Sequence, residues 1–94
     1  MGEVEAFEVD GIKCYFPSAD HLPHHFEVYR RGAYVVRIYF LRTNRKRGLN
    51  WDYKRNMGGE FAPAEQAVLF ELVMKHKRRL LAEWRRKVSP DQRK

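Results

Sequence analysis

The sequence predicts an α+β domain in which an antiparallel sheet of four to five strands is covered on one face by a long C-terminal helix. Two hairpin signals, one at Asp10-Gly11 and one at Arg31-Gly32, together with one further strand, predict the sheet. A single amphipathic pattern over Pro63–Lys87 predicts the helix. We expect residues 1–88 to form a single α+β domain and residues 89–94 to form a polar C-terminal tail.

The first hairpin is predicted from strands at residues 4–9 and 12–16, which Asp10-Gly11 connects. This dipeptide suits a type I′ turn, because both central residues of that turn need a positive φ angle. Alternation along the second strand directs three side chains to one face, those of Ile12, Cys14 and Phe16. We therefore predict that Cys14 is a small buried hydrophobic residue and not a nucleophile.

The second hairpin is predicted to join Phe26–Arg30 to Ala33–Arg42 through a three-residue loop, Arg30-Arg31-Gly32. The register that follows from this loop makes two pairs, Val28 with Tyr34 and Phe26 with Val36. It also makes one face of the hairpin continuously apolar, with Phe26, Val28, Tyr34, Val36, Ile38 and Phe40.

The opposite face of the second hairpin is predicted to be polar. It carries His25, Glu27, Tyr29, Val35, Arg37 and Tyr39. In the predicted register His25 lies directly across from Arg37, and Glu27 lies diagonally to it. These three side chains form the first candidate site.

A fifth strand is predicted at Leu49–Lys54, with Trp51 and Tyr53 facing inward. The helix pattern that follows has proline at its first position and basic residues at its end, as the helix macrodipole favours. Its apolar stripe consists of Leu69, Phe70, Leu72, Val73, Leu80, Leu81, Trp84 and Val88. This stripe should pack across the apolar face of the sheet.

Composition narrows the class of protein. The 94 residues include one cysteine, so no internal disulfide can form, and 14% aromatic residues argue against disorder. No apolar run approaches the roughly 18–20 residues of a membrane span, and the acidic N-terminus differs from a secretory signal. We expect a cytoplasmic protein that does not enter a membrane and needs no cofactor.

The net charge of +7 is unevenly distributed along the chain. Residues 1–27 contain six acidic residues and one basic residue, whereas residues 28–94 contain 18 basic and six acidic residues. A basic surface attracts RNA, DNA or a small acidic partner protein. The candidate binding residues are Arg30, Arg31, Arg42, Arg45, Lys46, Arg47, Lys54 and Arg55.

The order of elements and two motifs resemble a family of small uncharacterised bacterial proteins, classed as a domain of unknown function. That family carries His-x-Pro-Pro-His-Phe-His-Val and a C-terminal His-x-x-x-Leu-x-x-x-Trp helix. The matching positions are Asp20, His21, Pro23, His25, Phe26, Val28, His76, Leu80 and Trp84. Two positions depart from the signature, because His24 replaces its second proline and Glu27 replaces its third histidine. The resemblance implies a toxin–antitoxin-like arrangement with a second small protein.

Two chemical hypotheses arise from the histidine-rich stretch. A metal-independent ribonuclease would use His25, Glu27 and Arg37 as its catalytic residues, since histidine titrates near neutral pH and arginine stabilises phosphate. A metal site would use His21, His25 and Glu27 as candidate ligands, although no Cys-x-x-Cys or His-Glu-x-x-His frame supports one. Hydrogen bonds from the histidines to the loop backbone are the structural alternative.

These observations favour a small binding protein of toxin–antitoxin type that contacts nucleic acid or an acidic partner through its basic loops. The ribonuclease is the alternative. Unpaired sheet edges and the remaining apolar area indicate a homodimer or a hetero-complex.

Overall fold

The computed structural model describes residues 2–17 and 23–88, which form a five-stranded antiparallel sheet and one long helix. The strands pair in sequence order, from β1 at one edge to β5 at the other. The elements are β1 (Gly2–Glu3), β2 (Lys13–Phe16), β3 (Phe26–Arg30), β4 (Tyr34–Ile38), β5 (Trp51–Asn56) and α1 (Pro63–Lys87). The α+β prediction is confirmed. No helix in the described residues is both long and apolar enough to cross a membrane.

The bounds of α1 agree with the prediction. Pro63 occupies the first turn, and the Glu65 carboxylate accepts a hydrogen bond of 3.3 Å from the amide of Ala62. His76 interrupts the regular helical geometry, with φ −113° and ψ 17°, and its ring lies 5.8 Å from that of Phe7. The helix therefore has a kink where the N-terminal segment packs against it.

The core lies between the sheet and α1. The sheet contributes the fully buried Phe26, Val28, Tyr34, Val36 and Ile38, and the helix contributes Leu69, Val73, Leu80 and Trp84. Each such apolar side chain stabilises the fold by about 1.5–3 kcal/mol relative to an exposed position. The predicted apolar face of the hairpin is thus buried, whereas Phe70, Leu72 and Leu81 of the predicted apolar stripe of the helix are only partly buried.

The predicted register of the second hairpin is wrong by two residues. Arg30 pairs with Tyr34, so the loop consists of residues 31–33 and Gly32 lies at its centre with φ 76°. Ala33 lies in this turn, where its amide donates to the carbonyl of Arg30 at 3.0 Å and its carbonyl accepts from the amides of Met57 and Gly59. A shift of two keeps every side chain on its predicted face.

The corrected register changes the neighbours on the polar face. Phe26 pairs with Ile38 and Val28 pairs with Val36. Glu27, and not His25, lies directly across from Arg37.

The predicted first strand at residues 4–9 is also wrong. A turn does form at Asp10-Gly11, but it is not the predicted type I′, because Gly11 has φ 84° whereas Asp10 does not have a positive φ. β1 contains only Gly2–Glu3. The ladder to β2 ends where the amide of Val4 donates to the carbonyl of Cys14, at 2.9 Å. The next amide, that of Glu5, donates instead to the side chain of Glu83 on α1. The N-terminal segment therefore leaves the sheet and follows the helix.

The last two strands differ from prediction in length. β4 ends at Ile38 instead of Arg42, and β5 starts at Trp51, two residues later than predicted. A bulge in the β4–β5 pairing lies at Val35/Val36. Trp51 and Tyr53 do face inward, where Trp51 packs edge-on against Phe61 with ring centroids 4.7 Å apart.

Candidate nucleic-acid interface

Glu27 lies at the centre of the polar sheet face, with only 7% of its surface exposed. Its carboxylate accepts hydrogen bonds from the Tyr29 hydroxyl at 2.9 Å and from Lys54 Nζ at 3.0 Å. Nε2 of His25 lies 3.8 Å from Glu27 Oε2. Burial opposes the charge on Glu27, but the bonds from Lys54 and Tyr29 outweigh it and hold the pKa of Glu27 below its usual value. The carboxylate is thus ionised, and its charge is balanced by Lys54 within the fold.

Arg37 belongs to a separate ion pair. Its guanidinium lies 3.1 Å from Asp52 Oδ1, and the Tyr39 hydroxyl donates to Asp52 Oδ2 at 3.0 Å. The predicted set of His25, Glu27 and Arg37 is therefore divided between two local groups. Such an arrangement stabilises the sheet face and leaves little free charge for a substrate.

His25 is 5% exposed and is fixed by its surroundings. Its Nδ1 lies 2.9 Å from the carbonyl oxygen of Pro23, and its ring lies 5.5 Å from that of Tyr39. The neighbouring His24 ring lies 4.6 Å from that of Trp84. These contacts are the hydrogen bonding and packing that a structural role requires.

Of the candidate metal ligands, His21 lies outside the described residues, as does Asp20. Within residues 2–17 and 23–88, no three His, Cys, Asp or Glu side chains are grouped to hold a metal ion. Lys54 Nζ already contacts the Glu27 oxygen that faces His25.

Cys14 is buried in the core, as predicted. Burial raises the pKa of its thiol to about 12, with a smaller contribution from the charge of Glu3. Because the thiolate is the nucleophilic form, this side chain is unreactive near neutral pH.

The predicted basic residues differ in whether a carboxylate lies close to them. Three of them contact carboxylates: Arg30 pairs with Glu65, Lys54 with Glu27 and Arg45 with Glu71. The other five are exposed, and no carboxylate in the described residues lies within 4.0 Å of them: Arg31, Arg42, Lys46, Arg47 and Arg55.

The fold separates these residues into two groups at opposite ends of the sheet. Arg31 lies in the β3–β4 turn, and Arg55 pairs with Val35 near the same end. The other group lies on residues 42–47, which follow the far end of β4 and are called the basic loop below. Its basic side chains are those of Arg42, Arg45, Lys46 and Arg47.

The tip of the basic loop is a closed turn. Asn44 and Gly48 exchange two backbone hydrogen bonds, and the side chain of Asn44 accepts a third, of 2.8 Å, from the amide of Arg47. Gly48 adopts φ 81°, a conformation that costs glycine little. The exposed bases are therefore presented on an ordered backbone.

Thr43 anchors the loop to the domain. Its buried hydroxyl donates to the carbonyl of Tyr39 at 3.1 Å and accepts from the amide of Asn50 at 3.0 Å. Its own carbonyl accepts a hydrogen bond from Nζ of Lys77 on α1. The loop is thereby fixed against the middle of the helix.

The contact between the basic loop and α1 was not predicted from the sequence. The guanidinium of Arg45 lies 5.5 Å from the centre of the Phe70 ring and 3.5 Å from Glu71. This contact brings the loop next to the exposed bases of the helix. The spacing of Lys75, Arg78 and Arg79 indicates a basic face, but nothing in the sequence indicates that the loop adjoins it.

A cavity of about 510 Å³ lies where the N-terminal segment leaves β2. Its walls include the acidic side chains Glu3, Glu8 and Asp10 besides Lys13 and Arg31. This mixed charge suits phosphate less well than the basic loop does.

Comparison with protein-family models, curated proteins and solved structures found no match to this chain. The resemblance to the bacterial family of unknown function therefore stays a prediction.

Proposed function

We propose that this protein binds nucleic acid, and that the basic loop contacts the phosphate backbone. One observation carries the proposal: Lys46 and Arg47 are exposed on the turn closed by Asn44 and Gly48, and Arg42 is exposed just before it. No carboxylate in the described residues lies within 4.0 Å of these three bases. Like charges held close together repel each other, and an external polyanion relieves that repulsion.

The ordered backbone of the basic loop favours a role in binding over the alternative that its charges are only solvated. Bases on a flexible loop lose conformational entropy when they bind, whereas the turn closed by Asn44 and Gly48 is already ordered. A solvated charged surface needs no such construction. We further propose, on the resemblance stated above, that the protein acts within a toxin–antitoxin-type pair.

The ribonuclease alternative has less support from the geometry. A general base must reach the proton that it removes, but His25 and Glu27 are both buried. Glu27 is also committed to Lys54 and Tyr29, and Arg37 to Asp52. Binding without cleavage is the better-supported function.

A second candidate function, binding of a small acidic partner protein, is favoured by Leu41. This side chain is 42% exposed beside Arg42, and protein interfaces combine apolar anchors with arginine. Its test is co-expression with the product of the adjacent reading frame. If the pair forms here, Leu41→Ala weakens the complex while leaving nucleic-acid affinity unchanged.

The test of the proposed function compares two triple variants that remove the same charge. The loop variant carries Arg42→Ala, Lys46→Ala and Arg47→Ala. The control variant carries Lys13→Ala, Arg31→Ala and Arg55→Ala, which are also exposed bases without an ion pair in the described residues. Affinity for RNA and DNA oligonucleotides is measured by fluorescence anisotropy over a range of salt concentrations.

The loop variant should lose at least about ten-fold in affinity, and its slope of log affinity against log salt should fall by about 2–3, near 0.9 per phosphate contact. The control variant should lose much less. Equal losses in both variants would mean that total charge, and not the basic loop, determines binding. No measurable binding by the native protein at low salt would overturn the proposal.

A further inference from the structure

Five basic side chains of α1 form a second cationic surface, called the helix stripe below. Its members are Lys75, Arg78, Arg79, Arg85 and Arg86. All five are exposed, and they recur three, four, seven and eleven positions apart, which places them along one side of a helix. Ala82 lies between them and is exposed as well.

Much of this charge is free within the described residues. Arg79 pairs with Glu83 and Arg86 pairs with Glu5, yet their side chains remain 57% and 59% exposed. No described carboxylate lies within 4.0 Å of Lys75, Arg78 or Arg85.

The helix stripe is continuous with the basic loop. Arg45 contacts Glu71, and Arg78 lies on the same side of the helix two turns further on. Lys77, which holds the carbonyl of Thr43, lies beside Arg78. The two surfaces therefore form one cationic track that runs from the loop towards the end of α1.

The length of the helix stripe suits a rigid polyanion. From Lys75 to Arg86 the helix rises by about 16 Å, at 1.5 Å per residue. The row bends at His76, between Lys75 and Arg78, and its length allows contact with several phosphates of a duplex. A duplex already holds its phosphates in fixed positions, whereas a single strand must be ordered when it binds.

Aromatic side chains give the second line of argument. Proteins that bind single strands stack the bases on exposed aromatic rings. In this protein every described aromatic side chain is buried or half-buried. The two beside the basic loop are already covered by guanidinium groups, since Arg42 lies 6.0 Å from the Tyr39 ring and Arg45 lies 5.5 Å from the Phe70 ring.

We infer that the ligand is a double-stranded nucleic acid, held by its phosphate backbone along the track of the basic loop and the helix stripe. This inference rests on the proposed function and adds the form of the nucleic acid and a second contact surface. Phosphate contacts position a protein on a duplex but do not read its sequence. Binding should therefore depend weakly on base sequence.

The test uses a blunt duplex longer than the helix stripe, made as RNA and as DNA, together with its separate strands chosen to lack self-pairing. Each is titrated with the full chain at one fixed salt concentration. A stripe variant carries Lys75→Ala, Arg78→Ala and Arg85→Ala, and alanine favours the helix, so the variant should fold. Circular dichroism checks its folding. The control is again Lys13→Ala, Arg31→Ala and Arg55→Ala, because these bases lie near the β3–β4 turn, at the end of the sheet away from the basic loop, and are not part of the proposed track.

At least one duplex should bind about ten-fold more tightly than its strands, and the stripe variant should lose about ten-fold in duplex affinity while the control loses little. Preference for RNA or for DNA identifies which duplex is the ligand. Equal or tighter binding of single strands overturns the inference but leaves the proposed function intact, and so does a stripe variant that behaves like the control. If the native protein bound neither the duplexes nor the single strands, the proposed function would be rejected instead.

Discussion

The backbone amide of Glu5 donates a hydrogen bond of 2.8 Å to the carboxylate of Glu83, 78 positions later in the chain. Glu83 is 1% exposed, and its oxygens also lie near Lys87 and Arg79. A buried carboxylate needs such donors, because an isolated charge away from water is very costly. This bond directs the N-terminal segment away from β2 and onto the helix.

Replacing Glu83 by alanine should therefore destabilise the protein strongly. The change leaves the Glu5 amide without its acceptor, at a cost of about 1–3 kcal/mol in unfolding free energy, whereas Lys87 keeps the Glu5 carboxylate at 3.0 Å and the Glu3 carbonyl at 2.8 Å. Glu83→Gln keeps an acceptor for the amide and should fall between alanine and the native residue. Urea unfolding followed by circular dichroism measures all three.

Arg86→Ala is the control for this experiment. Arg86 and its partner Glu5 are both 59% exposed at a separation of 3.5 Å, so the loss should be much smaller than that of Glu83→Ala. If Glu83→Ala cost no more than Arg86→Ala, the buried bond would not be what holds the N-terminal segment.

The same bond explains why the first strand could not be predicted. Alternation over residues 4–9 and the turn at Asp10-Gly11 contain only local information, and locally a full hairpin is reasonable. The competing acceptor, Glu83, comes from the far end of the chain. The helix, in contrast, was predictable to its end residues because its apolar spacing, its first proline and its terminal bases are all local.

The register of the second hairpin was missed for a related reason. Its faces follow from alternation, but a shift of two residues leaves the faces unchanged, so the pattern does not choose between them. In the structure the turn is closed by the bond from the Ala33 amide to the Arg30 carbonyl, and the Ala33 carbonyl contacts the connector before α1, which is distant in sequence. The candidate bases of the basic loop were predictable from composition, whereas their contact with α1 was not.

Gly59→Ala should test the close contact between this connector and Ala33. A side-chain carbon at Gly59 would lie 2.4 Å from Cβ and 2.9 Å from Cα of Ala33, and a backbone atom cannot move aside easily. We expect a loss of about 1–3 kcal/mol in unfolding free energy. Adding Ala33→Gly removes the closer clash and should recover part of that loss. A Gly59→Ala protein as stable as the native one would show that the two segments do not pack this closely.

Stability should fall in acid partly because of Glu27. Its pKa in the folded protein is below the ordinary 4.5, so the ionised form stabilises the fold fully above about pH 4.5. As the pH falls below that value the unfolded chain takes up a proton first, and the stabilisation is lost as the pH passes through the lower folded pKa. Glu27→Gln lacks this contribution.

The unfolding free energies of the native protein and of Glu27→Gln should therefore differ most near pH 7 and converge towards pH 3. Urea unfolding of both proteins at several pH values provides the comparison. Taking the difference between them at each pH cancels the contribution of the other acidic groups, which both proteins share. A difference that stays constant over this range would mean that Lys54 and Tyr29 do not favour the ionised carboxylate.

The buried positions of His25 and Glu27 predict that the protein does not cleave RNA. Purified native protein and His25→Ala, incubated with labelled RNA without added metal, should leave the substrate equally intact. The His25→Ala protein controls for contaminating nucleases, since both preparations would carry them. Cleavage by the native protein that disappears in both His25→Ala and Glu27→Gln would restore the ribonuclease hypothesis.

Asn44→Ala should show whether the ordered backbone of the basic loop contributes to nucleic-acid affinity in addition to the loop's charge. The substitution removes the 2.8 Å hydrogen bond to the Arg47 amide but changes no charged group. A looser loop must be ordered again on binding, at a cost of about 0.5–1.5 kcal/mol, so affinity for nucleic acid should fall about two- to ten-fold. The salt slope should stay the same, because the same bases contact phosphate. Fluorescence anisotropy measures both quantities, and an unchanged affinity would mean that the charge of the loop suffices without its ordered backbone.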